Sequence, residues 1–130
     1  MKQFFGMLVL VGGLFACEQN TSVDVRFKTS MKVNAVYDAK TVAVGEVIKA
    51  KFKVENTGDA PLVLSDVKGS CSCTVTEYPK DPIQPGESKV IVAKVETKNA
   101  SPGELNKSVT ILANTTPPAT VVKVHAKVIR

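Results

Sequence analysis

Tryptophan is absent, aromatic residues make up only 5% of the chain, and there is one histidine, His125. A single imidazole in 130 residues, with no room for a separate cofactor-binding domain, argues against most enzyme classes. There is no Gly-x-Ser-x-Gly nucleophile elbow, phosphate-cradling glycine loop, calcium loop or recognisable carboxylate pair. Of the three cysteines, Cys17 stands alone and Cys71 and Cys73 are two apart. That leaves neither the four ligands of a closed zinc site nor the widely spaced, tryptophan-backed disulfide of an antibody domain. Basic residues outnumber acidic ones 17 to 12, a net charge of +5. The excess is scattered and lacks interleaved aromatics, which excludes a nucleic-acid footprint. No apolar run reaches the roughly 18 to 20 residues of a membrane-spanning helix, and no internal repeat or low-complexity tract occurs.

What is present begins with an address. Met1-Lys2-Gln3 is a short basic start, and the 13 residues from Phe4 to Ala16 carry no charge, which suits the apolar region of a secretory signal. Leu14-Phe15-Ala16-Cys17, followed by the polar run Glu18-Gln19-Asn20-Thr21-Ser22, resembles the lipobox of bacterial lipoproteins. The resemblance implies diacylation of the Cys17 thiol, cleavage after Ala16 and acylation of the new amino terminus. One acyl chain holds only marginally; three hold durably, because each buried methylene contributes about 0.8 kcal/mol. The expected organisation is a signal peptide over 1–16, a lipid-anchored tether over 17–30 and one domain over 31–130. The expected location is a membrane of the bacterial cell envelope, on its periplasmic or surface face.

Beyond the tether the period is two. Ile48, Ala50, Phe52 and Val54 alternate with Lys49, Lys51, Lys53 and Glu55, as a half-buried strand requires. Asn56-Thr57-Gly58-Asp59 then stops it with turn residues. Further strands are predicted over Met31 to Tyr37, Leu62 to Val67, Cys71 to Thr76, Lys89 to Thr97, Leu105 to Ala113 and Thr120 to Ile129. Val23, Val25 and Phe27 alternate as well and suggest a short strand inside the tether. From Cys17 onward there are 19 Val, 5 Ile and 11 Thr against 4 Leu, a β-branched excess that suits pleated surfaces and disfavours long helices. About seven short strands separated by turn signals predict an all-β, immunoglobulin-like antiparallel sandwich, with a small barrel as the alternative.

Three segments carry a wider resemblance: Phe52-Lys53-Val54-Glu55-Asn56-Thr57-Gly58-Asp59-Ala60-Pro61-Leu62-Val63-Leu64, then Ser70-Cys71-Ser72-Cys73-Thr74, then Pro82-Ile83-Gln84-Pro85-Gly86-Glu87-Ser88. In this order they resemble the bacterial family catalogued as domain of unknown function 1573, itself similar to Ig-like modules of the ASH and major sperm protein kind. The resemblance covers most of residues 40 to 128 and implies a fold and an envelope setting, but no activity. The family commonly has Cys-Gly-Cys where this chain has Cys71-Ser72-Cys73, so a role that needs a glycine backbone at position 72 is in question.

Cys71 and Cys73 are the one local chemical signal. In an extended strand their Cα atoms would lie about 6.6 Å apart on one face, with the Cβ atoms too far separated to bridge unless a bulge or turn intervenes. Three readings stand: inert cysteines, a labile disulfide, or two thiolates holding a soft ion such as Cu(I), with Met31 as a further ligand. His125 shares a face with Lys123 and Lys127, whose charges are expected to disfavour its protonation. Lys49, Lys51 and Lys53 form a stripe read as a solvated face, with lipid headgroups or an acidic glycan as the alternative contact. Asn20, Asn99, Asn106 and Asn114 begin Asn-x-Ser/Thr sequons, which carry little weight behind a bacterial lipobox.

Two functions follow from different classes. One is a non-enzymatic module that binds an envelope protein or glycan through its loops or by strand addition at an open sheet edge. The other is a Cu(I) or thiol redox protein using Cys71 and Cys73.

Overall fold

The computed structural model describes residue 12 and residues 27–130. Alternating β-branched residues form eight strands: β1 (Met31–Val33), β2 (Val36–Ala43), β3 (Val47–Asn56), β4 (Leu64–Gly69), β5 (Thr74–Glu77), β6 (Ser88–Glu96), β7 (Gly103–Ala113) and β8 (Ala119–Ile129). They make two four-stranded sheets in the orders β1-β3-β6-β5 and β2-β8-β7-β4. Side chains alternate across each strand, so β3 turns Ile48, Ala50, Phe52 and Val54 into the core and Lys49, Lys51 and Lys53 to solvent. Ile91, Ala93 and Val95 of β6 join them. Across the sandwich stand Val109 and Ile111 of β7 and Val122, Val124, Ala126 and Val128 of β8. Phe52 is fully buried, with the Tyr37 ring edge-on to it at 6.3 Å.

The expected sandwich is present, with eight strands and one parallel pair among the described residues where about seven strands were expected. Met31 to Tyr37 is not a single strand. β1 pairs antiparallel with β3, the chain crosses at Asn34-Ala35, and β2 runs parallel to β8 in the other sheet. Two bonds fix the crossing: Lys53 N–H donates to Asn34 Oδ1 and Lys123 N–H to the Ala35 carbonyl. In β2 the register slips between Asp38 and Thr41, where Lys40 adopts φ 62° and its N–H donates to Asp38 Oδ1. The strand expected from Leu62 starts at Leu64, because Leu62 makes an isolated bridge to Ile83 and Val63 N–H is taken by Asn114 Oδ1.

Two buried asparagines staple the loops. Asn56 Oδ1 accepts from Thr29 Oγ1 and Gly58 N–H, while its Nδ2 donates to the carbonyls of Ala60 and Ile83. Asn114 Nδ2 donates to the carbonyls of Phe27 and Pro61. Its side chain is therefore engaged in the fold rather than offered as a sequon. Gly58 passes so close to the incoming chain that a Cβ there would stand 2.1 Å from Thr29 Oγ1. Residues 27–30, expected as the end of the tether, are thus bonded into the domain, with Thr29 also bridging Thr115. Cys17, Val23 and Val25 lie outside the described residues.

Candidate functional site

The two cysteines are joined. Cys71 and Cys73 form a disulfide with Cα atoms 5.3 Å apart, inside the usual range. The strand expected from Cys71 to Thr76 is corrected: β5 begins at Thr74, and the cysteines occupy the preceding turn, closed by Thr74 N–H donating to the Cys71 carbonyl at 3.2 Å. Lys40 is the sole non-glycine residue at positive φ among those described. Ser72 therefore meets no backbone requirement for glycine.

Four further contacts hold this turn. Ser70 N–H donates to the Ser108 carbonyl, Ser108 N–H to Ser70 Oγ and Glu96 N–H to the Cys73 carbonyl. Gly69 lies against Thr74, where a Cβ would stand 2.5 Å from the Thr74 Cβ. The Thr74 hydroxyl in turn lies 3.8 Å from Cys71 Sγ and 3.9 Å from Cys73 Sγ. The disulfide opens on a cleft of about 420 Å³ whose walls include Glu96, Asn99, Ser101, Glu104 and Leu105. A cross-link closing three residues constrains the unfolded chain by only about 1.6 kcal/mol, against roughly 4.7 for a 100-residue loop.

The Cu(I) reading loses its thiols to this bond. Met31 stands on β1, at the opposite edge of the sheet from β5. Among the described residues, no three His, Cys, Asp or Glu side chains converge to hold a metal ion.

His125 is placed between carboxylates that its sequence neighbours do not reveal. Its Nε2 is hydrogen-bonded to Glu104 Oε2 on β7, and its Nδ1 lies 3.6 Å from Asp38 Oδ1 on β2. The bond to Glu104, with a smaller contribution from Asp38, holds its pKa above the ordinary 6.5. The expected depression by Lys123 and Lys127 is overturned, because carboxylates reach the ring across the strands. Asp38 is held below 3.8 chiefly by the Lys40 N–H.

The His125 contribution is full below pH 6.5 and is lost as pH rises through the raised value; that of Asp38 is present above 3.8 and is lost as pH falls through the depressed value. The Tm of the wild type is therefore expected to decline as pH rises from 6.5 through the raised His125 value, and that of His125→Gln to stay level. Equal slopes in a melting series would contradict the pairing.

A second feature lies on β3. β1 covers only Val54, Glu55 and Asn56. Lys53 N–H points to the β1 side, where Asn34 takes it, and Asn56 N–H to the β6 side, where the Glu87 carbonyl takes it. Backbone groups alternate along a strand, so those of Val47, Lys49 and Lys51 face the side that β1 leaves bare. They have no backbone partner among the described residues. The other edges are blunted. β2 and β4 carry register slips and β5 has four residues, whereas β3 pairs with β6 without interruption.

Lys49 stands directly opposite Lys94, which pairs with Glu77 at 2.9 Å. Lys49, Lys51 and Lys53 form no ion pair with another described residue. The expected lysine stripe is thus the outer face of the one long, regular free edge among the described residues.

Among solved structures, a protein of unknown function from Porphyromonas gingivalis W83 superposes with a TM-score of 0.69 at 21% identity, over 84% of this chain and 51% of that one. The secreted serine protease VesC from Vibrio cholerae gives 0.60 at 10% identity, over 77% of this chain and 23% of the protease. The seventh PapD-like (ASH) domain of human CEP192 gives 0.62 at 8% identity, over 100% and 99%. The chain thus spans about half of the first of these and a quarter of the second, and the likenesses show the PapD-like sandwich fold. A comparison with curated proteins finds no sequence match. Residues 30–128, a span that contains Asn56, Cys71 and Pro85, match the family described as Protein of unknown function (DUF1573); the chain belongs to that family.

Proposed function

We propose that this is a lipid-anchored, non-enzymatic module of the bacterial envelope that holds an extended segment of another envelope protein against β3. The free edge over Val47, Lys49 and Lys51 carries the reading: its alternate N–H and C=O groups are an unfilled strand position. Its lysines discourage pairing between identical edges and favour a segment with acidic residues at alternate positions, since opposite charges on paired strands add roughly 0.2–1 kcal/mol per pair. Cys17 is the lipidation site, and residues 18–26 link it to the domain. No catalytic residue is assigned.

A photo-crosslinking residue at position 51, compared with one at position 123 on the other sheet, tests the edge in intact cells. The expected outcome is a product from position 51 that maps to one extended segment of a partner and is lost when Lys49 becomes proline, which removes an edge N–H. Equal yields from both positions would refute it. Cys17→Ala is expected to release the protein from the detergent-extracted membrane fraction. Retention of Cys17→Ala in the membrane would replace the lipid anchor with an uncleaved apolar segment.

A further inference from the structure

We propose that the Cys71–Cys73 disulfide is a thiol–disulfide exchange site for paired cysteines of a polypeptide lying in the adjoining cleft. The bond ties no two elements together: it spans a single turn that four backbone and side-chain hydrogen bonds already hold, namely those to the Cys71 and Cys73 carbonyls and the two between Ser70 and Ser108. None of these bonds uses sulfur, so the turn keeps its shape when the disulfide opens. Both cysteines are only partly buried, and Ser72 between them is exposed. The cleft beside them offers Leu105 as an apolar contact and Asn99 and Ser101 as polar ones, a lining that suits a peptide.

The Thr74 hydroxyl, within 4 Å of both sulfurs, is a donor placed to assist exchange. When an attacking thiolate bonds to one sulfur, the other leaves as a thiolate, and a donor beside it lowers the barrier whichever sulfur departs. Gly69 positions that threonine, since any side chain at position 69 would displace it.

The exchange balances without a further oxidant. A client dithiol loses a proton, and its thiolate attacks Sγ of one cysteine, breaking the Cys71–Cys73 bond and forming a mixed disulfide. The second client thiolate then attacks the client sulfur of that mixed disulfide and expels the remaining cysteine. The client is oxidised by two electrons to a disulfide, and Cys71 and Cys73 are reduced to two thiols, which take up the two protons. With a protein disulfide as co-reactant the same steps run in reverse.

The test uses the full chain in its oxidised form and a reduced synthetic peptide carrying two cysteines, with acid quenching, thiol alkylation and mass spectrometry. One peptide disulfide is expected per protein, with both Cys71 and Cys73 becoming alkylatable and the β-sheet circular dichroism unchanged. Thr74→Val is expected to slow the exchange about tenfold, the loss of one hydrogen bond to a charged group, and to move its pH profile upward. Cys73→Ser, offered the oxidised peptide, is expected to accumulate as a mixed disulfide through Cys71, a readout that holds if Thr74→Val folds poorly. A disulfide that survives excess reduced peptide, or a sandwich that unfolds when reduced, would overturn the proposal and leave the bond a structural cross-link.

Discussion

Replacing Asn56 with alanine is expected to lower the unfolding free energy by about 3–5 kcal/mol. Asn56 is 1% exposed and makes four hydrogen bonds, to Thr29, Gly58, Ala60 and Ile83. Each bond contributes about 1 kcal/mol net, and a partner left buried and unpaired costs about 1–3 kcal/mol. Water entering the space left by the amide recovers part of that, which sets the upper bound. Total stability for a domain of this size is about 5–15 kcal/mol, and one kcal/mol moves Tm by about 4–8 °C. A fall of roughly 12–40 °C should therefore appear in thermal denaturation followed by circular dichroism. Asn99→Ala, at an exposed position, should stay within about 0.5 kcal/mol of wild type. A loss under about 1 kcal/mol at Asn56 would mean that the four bonds do not hold the loops together.

Phe52→Ala is the second large effect, expected at about 3–5 kcal/mol in denaturant unfolding. The ring is fully buried between the sheets and meets the Tyr37 ring edge-on, so truncation loses both transfer free energy and packing around the cavity. Phe52→Leu keeps most of the volume and should cost less than half as much. Lys51→Ala, one residue away on the outer face, should fall within about 0.5 kcal/mol. The contrast between neighbours tests the strand's facing directly. Equal effects at 51 and 52 would contradict it.

Much of the sandwich was legible because β3 alternates without interruption and β6, β7 and β8 bury alternate residues over much of their length. β2 was not, because its period breaks where Asp38 bonds to the Lys40 N–H and the register slips; alternation counts read such a slip as the end of a strand. The division of Met31 to Ala43 between two sheets depends on bonds to Lys53 and Lys123, far along the chain. At the cysteines, the extended geometry assumed for Cys71 to Thr76 gave too long a span. The turn that the Thr74 N–H closes on the Cys71 carbonyl is what shortens it.

His125 shows the opposite failure. Its neighbours in sequence are lysines, but its partners in space are Asp38 and Glu104, which only the strand pairing brings to it. Asn56 was read as a turn residue because its type suits turns; that its side chain is a buried hub for Thr29 and Ile83 is a property of the fold. The lysine stripe was visible from the outset. Its position on a free edge required knowing that β1 ends at Val33.

Amide hydrogen exchange at that edge tests the binding role most directly, using the partner segment recovered from the position-51 crosslink as a synthetic peptide. In the protein alone, the N–H groups of Val47, Lys49 and Lys51 should exchange quickly, while those of Ile48, Ala50 and Phe52, which face β6, should exchange slowly. With the peptide bound, the three fast amides should slow at least about tenfold, each gaining a hydrogen bond of about 1.4 kcal/mol or more. Protection arising on β4, on β2 or around Cys71, with the β3 amides unchanged, would contradict strand addition to β3.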